Sequence, residues 1–70
     1  MVRIACIDLK SGEVINVIIA ESLERVPDTV AVREDGTAIK KDEVILKPTE
    51  VGSVGDIYVK GKGFYRFVGE

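Results

Sequence analysis

The 70-residue sequence predicts an all-β fold: a small antiparallel barrel or sandwich of five to seven short strands built from hairpins, with at most one short helical turn. Three observations carry that expectation. Valine and isoleucine far outnumber leucine, which occurs only at Leu9, Leu23 and Leu46. Such β-branched side chains lose rotamer freedom in a helix and pack well on a pleated surface. Turn-forming stretches recur about ten residues apart, the spacing of a small sandwich or barrel. No repeat, low-complexity run or linker divides the chain, so residues 1–70 read as one domain.

The elements follow in order. VRIACIDL (Val2–Leu9) reads as a strand covered at least partly on both faces, and KSGE (Lys10–Glu13) as a turn in which Gly12 is free to take a positive φ. VINVIIA (Val14–Ala20) closes the first hairpin, with Ile15, Val17 and Ile19 expected on one face. Asn16, its one polar residue, is expected at a solvent-facing or edge position. In ESLERVPD (Glu21–Asp28), Ser22 is placed to start a single helical turn through Arg25, and Pro27 disfavours helix at Val26. TVAVRED resumes alternation with Val30 and Val32 expected on one face, and Asp35-Gly36 is a strong hairpin signal. The next strand centres on Val44–Leu46 and stops at Pro48, after a solvated turn of alternating charge at Lys40–Glu43. Thr49–Asp56 is a loop. Ile57–Lys60 and Phe64–Val68 form a closing hairpin across a glycine-lysine-glycine turn. In that hairpin Tyr65 and Phe67 are expected to enter the core, Lys60 and Arg66 to face water, and Phe64 to lie outward beside Tyr58.

Composition narrows the chemistry. A chain of this length buries only about 60% of the surface its unfolded form exposes, so its own core leaves it marginal. Natural domains of this size usually add disulfides, a metal or a partner. Cys6 is the only cysteine and there is no histidine, so no internal disulfide forms and the commonest zinc constellations are missing. Self-association is the expected remedy. The formal net charge is −2, and the basic residues are scattered among acids apart from a local excess at Lys60, Lys62 and Arg66. No stretch reaches the ~18 apolar residues of a membrane helix, and the N-terminus lacks the ordered regions of a signal peptide. No membrane partner and no cofactor are expected. The single thiol fits a reducing compartment.

The closing segment VGDIYVKGKGFYR (Val54–Arg66) invites two functional readings. A phosphate loop needs G-x-x-x-x-G-K followed by Ser or Thr. Here the interval from Gly55 to Gly61 is one residue too long, and Gly63 occupies the hydroxyl position. An RNA-binding strand needs aromatics on a shared face, whereas alternation sends Phe64 one way and Tyr65 the other. Nucleic acid is therefore an alternative partner only. Catalysis is not expected either, because Cys6 lies mid-strand without a base and the carboxylates sit in turns. An outward aromatic pair flanked by cations makes Tyr58, Lys60, Lys62, Phe64 and Arg66 the expected contact residues for another chain.

Two stretches together, GEVINVIIAESLERVPDTVAV (Gly12–Val32) and VGDIYVKGKGFYR (Val54–Arg66), resemble the small β-modules of tailed-bacteriophage virion proteins. These occur as stand-alone proteins or at the start of tail-fibre and assembly-related chains. The resemblance assigns Gly55, Asp56, Tyr58, Gly63 and Phe64 to a shared hairpin geometry and carries no catalytic residue. Members with long fibres continue past this hairpin, whereas this chain ends at Glu70. The resemblance thus implies a non-enzymatic virion subunit, assembled in the host cytoplasm. Its role would be capsid decoration, cement or a tail or fibre adaptor that contacts other virion proteins or its own copies. A nucleic-acid-binding β-barrel or phage regulator, and a host-directed inhibitor acting by strand addition, are the alternative expectations.

Overall fold

The structure, a computed structural model, describes residues 1–66. It is all-β and antiparallel, with strands β1 (Val2–Asp8), β2 (Val14–Ala20), β3 (Thr29–Val32), β4 (Ala38–Lys40), β5 (Val44–Pro48), β6 (Ile57–Val59) and β7 (Gly63–Tyr65). A central sheet has the order β2-β1-β5, and β3–β4 and β6–β7 are separate hairpins. The sheets do not close into a barrel. Each hairpin instead covers one face of the central sheet, in a small sandwich-like arrangement.

Strand β1 dictates this layout. Successive side chains of a strand point to opposite faces, and four consecutive residues of β1 are fully buried: Ile4, Ala5, Cys6 and Ile7. Ile4 and Cys6 join Val26, Val30, Ile39 and Val44 in one apolar cluster, beneath β3–β4. Ala5 and Ile7 join Val14 in a second, covered by Tyr58 and Phe64 of β6–β7. Fully burying an isoleucine contributes ~1.5–3 kcal/mol, so Ile4 and Ile7 anchor one layer each.

The turn at Lys10–Glu13 forms as expected, with Gly12 at φ +78° and the Lys10 N–H donating to Asp8 Oδ1 at 2.8 Å. Two departures from simple alternation follow, and β-bulges explain both. The register of β1 on β2 shifts between Cys6 and Ile7, so Ile15 is an extra residue. Ile15 therefore packs in the first cluster with Ile18 and Ala20, Val17 packs in the second, and Ile19 is 62% exposed. The expected Ile15–Val17–Ile19 face does not exist. A second bulge between Thr29 and Ala31 turns both Val30 and Ala31 inward and leaves Val32 64% exposed, parting it from Val30. The two bulges meet: Asn16 Nδ2 donates to the Val30 carbonyl at 2.6 Å, and Asn16 Oδ1 accepts from the Val17 N–H at 2.9 Å. Asn16 does lie on an edge strand, half-buried, where it ties β2 to β3.

Leu23–Arg25 forms the expected single helical turn, of 3-10 type, although Ser22 makes no side-chain cap. A second 3-10 turn occupies Lys41–Glu43, in the charged stretch read as a solvated turn. There Glu43 Oε1 accepts from the Lys40 N–H at 2.8 Å, satisfying one of the donors a helical start leaves open. The Asp35-Gly36 hairpin turn forms, with the Asp35 carboxylate accepting from the backbone and hydroxyl of Thr37.

Two loop contacts hold the second layer in place. Arg3 donates through its guanidinium to the carbonyls of Thr49, Val51 and Gly52 at 3.1, 3.0 and 2.7 Å. Gly52, at φ +92°, lies against the Phe64 ring, and a β-carbon there would stand 2.7 Å from Phe64 Cε1. Gly52→Ala therefore combines strain of ~1–3 kcal/mol at positive φ with overpacking against the ring, whereas Gly36→Ala, with open space around it, adds only the first. Urea denaturation should show the larger loss for Gly52→Ala, and equal losses would contradict this packing. Burial also raises the pKa of the Cys6 thiol. Alkylation of Cys6 should accordingly be slow in the native protein and rapid after unfolding, as followed by mass spectrometry.

Candidate interaction surface

The closing hairpin is built on glycine. Gly61 and Gly63 take positive φ, and the Lys62 N–H donates to the Val59 carbonyl at 2.9 Å, closing the Lys60–Lys62 turn. The register pairs Ile57 with Tyr65, Tyr58 with Phe64 and Val59 with Gly63. Backbone bonds moor the hairpin to the first turn: the Tyr58 N–H donates to the Gly12 carbonyl at 2.8 Å, and the Val14 N–H to the Asp56 carbonyl at 2.8 Å.

This mooring decides which face looks inward, and the expected assignment is reversed. Tyr58 and Phe64 are cross-strand neighbours as expected, with ring centroids 5.0 Å apart. They do not lie outward, however, but cover Ala5, Ile7 and Val14. Tyr65, expected in the core, is 51% exposed. Phe67 and Val68 lie outside the described residues. The physical cause is space: Ala5 is the one small side chain on this face of β1, and Gly52 offers a flat backbone beside Phe64. Ala5 amid the bulkier residues of β1 is the signal in the sequence that a large ring belongs above it.

The outer face of the hairpin therefore carries Val59 and Tyr65, both exposed, with Ile57 half-buried beside them. Lys60 and Lys62 are exposed at its tip. Arg66 is exposed too, but its Nε donates to Asp56 Oδ1 at 3.3 Å. Of the five expected contact residues, Lys60, Lys62 and Arg66 thus border this outer face, and Tyr58 and Phe64 support it from beneath. Val59 and Tyr65 are the surface residues that sequence reasoning missed. Lys47 Nζ stands 5.4 Å from the Tyr58 ring centroid, a cation–π contact at the side of the hairpin. Among the described residues the aromatics do not form one stacking platform, since Tyr65 faces away from Tyr58 and Phe64.

Asp56 is the root of the hairpin and the one buried polar side chain among the described residues. Its Oδ2 accepts from the Ser53 N–H at 2.9 Å, and its Oδ1 takes the Arg66 bond. The Ser53 backbone bond, and then the Arg66 guanidinium, hold its carboxyl below the usual range against the opposing effect of burial. No three His, Cys, Asp or Glu side chains group to hold a metal ion among the described residues. An open recess of about 310 Å3 lies between the end of β1 and the Lys41–Glu43 turn. Its apolar floor is Ile15, Ile39 and Val44, and the Arg33–Glu43 ion pair (3.9 Å) spans its wall.

A carboxylate whose folded pKa lies below its unfolded value adds stability above the unfolded pKa and loses it as pH falls through the folded one. The wild-type melting temperature should therefore drop as pH is taken from neutrality to below 3.8, the ordinary aspartate value. Asp56→Asn should flatten that decline, as measured by thermal melts across the range; an unchanged acid profile would remove Asp56 from this role.

Comparison of the chain with family models, with curated proteins and with solved structures finds no match.

Proposed function

We propose that this chain is a non-enzymatic structural subunit that works through protein–protein contacts. The observation that carries the reading is the outer face of the closing hairpin, where Val59 and Tyr65 stand exposed within a border of Lys60, Lys62 and Arg66. An aromatic anchor with arginine at its rim is the composition in which protein interfaces concentrate their binding energy. The rings beneath, Tyr58 and Phe64, brace that face against the central sheet, so it binds with little ordering cost.

A second feature supports the same reading. Strand β2 is an edge of the central sheet and contains no charge and no proline, the usual guards of an exposed edge. Asn16 seals the edge at Val17, but Ile19 pairs with Arg3, whose own carbonyl accepts from Thr49 on the opposite side. By the alternation of antiparallel ladders, the backbone groups of Ile19 then point out of the sheet. The assembly that the sequence resemblance points to is a tailed-bacteriophage particle.

The purified chain should co-sediment with assembled heads or tails, and Tyr65→Asp should weaken that binding about tenfold or more, as truncation of an interface tyrosine does. Native melting of the variant separates lost contact from lost fold. A chain that binds neither heads nor tails, or a Tyr65→Asp variant that binds as the wild type does, would defeat the reading.

A further inference from the structure

The two segments that contain the hairpins carry charge of opposite sign, and the hairpins lie on opposite faces of the central sheet. Residues 21–43, which include β3 and β4, hold seven carboxylates and four cations; residues 44–66, which include β6 and β7, hold four cations and two carboxylates. Internal ion pairs do not erase the difference. Glu21–Arg25, Glu43–Arg33 and Asp28–Lys41 neutralise one another in the first segment, and Asp56–Arg66 in the second. Among the described residues this leaves Glu24, Glu34, Asp35 and Asp42 against Lys40 on one side, and Lys47, Lys60 and Lys62 against Glu50 on the other.

Each hairpin also turns an apolar pair outward beside its charge. On β3–β4 the exposed partners are Val32 and Ala38, next to the Glu34–Asp35 turn. On β6–β7 they are Val59 and Tyr65, next to Lys60 and Lys62. The two patches are alike in kind, each an apolar centre with charge at one end, and opposite in sign. That is the complementarity a heterologous contact needs.

We infer that the partner of the closing hairpin is a second copy of this chain. The Val59–Tyr65 face of one copy seats on the Val32–Ala38 face of the next, with Lys60 and Lys62 against Glu34 and Asp35. Each copy keeps one free face of each sign, so the contact repeats head to tail. The inference rests on the contact-surface reading above and names its partner, but it stands or falls separately.

The test is sedimentation of the full chain with two double variants. Lys60→Glu/Lys62→Glu reverses the basic patch, and Val32→Lys/Glu34→Lys reverses the acidic one. The wild type should form a concentration-dependent series of oligomers at about 0.01 M salt, where charges act over about 30 Å, and dissociate at about 1 M, where they act over about 3 Å. Each variant alone should associate at least about tenfold more weakly, through like charges set face to face. Mixed together, the two should associate again, because the acidic face kept by the first variant meets the basic face kept by the second, and their two reversed faces are opposite in sign as well. Far-UV dichroism and melting of each variant confirm that it is folded. A wild type that stays monomeric at low salt, self-association indifferent to salt, or a mixture that remains monomeric would each overturn the inference. A monomeric chain that still sediments with particles would do so while leaving the preceding reading intact.

Discussion

Everything in this protein is arranged around a strand that has no outside. Ile4 and Cys6 of β1 point into one apolar cluster and Ala5 and Ile7 into the other, so the strand supplies both cores at once. In a chain of 70 residues, surface is plentiful and interior is scarce. Threading one strand through the middle lets the same few residues anchor two layers. Both hairpins are defined by where they must sit to cover β1, and the two bulges adjust the neighbouring strands to that demand.

The bulges show how this adjustment works. Val14 and Ile15, adjacent in sequence, serve different clusters, as strict alternation already provides. What the bulge adds is a change of phase, after which Ile18 and Ala20 rejoin Ile15 on the same side. The carbonyl of bulged Val30 finds the Asn16 amide as its partner. A lone asparagine in an otherwise apolar strand thus marks where two irregular strands are joined, and no ligand is needed to explain it.

How much of this was legible in the sequence depended on how local its cause is. The limits of β2, the Lys10–Glu13 turn, the Asp35-Gly36 hairpin and the glycine turn at Lys60–Lys62 follow from residues within a few positions of one another, and all were readable. The bulges were not, because phase in β2 and β3 is decided by strands elsewhere in the chain. The closing hairpin failed for the same reason. Its pairing of Tyr58 with Phe64 was legible, whereas its orientation depends on Ala5, Gly52 and the mooring at Gly12 and Val14, which lie far from it in the chain. The candidate surface was therefore found in the right place with its aromatics inverted: the cations were foreseen, and Val59 and Tyr65 were not.

The loop between β5 and β6 is fastened at its two ends by groups of different chemistry. Arg3 grips the beginning through three backbone carbonyls, and Asp56 grips the end through a carboxylate. A guanidinium keeps its proton throughout the working range of a protein, and carbonyls have none to gain. Acid therefore releases the carboxylate fastening and leaves the Arg3 bonds, together with the backbone mooring of the hairpin at Gly12 and Val14, in place. Any loosening of this loop at low pH begins in the Ser53–Asp56 turn at the root of the hairpin, at the opposite end from the tip where the two lysines are carried.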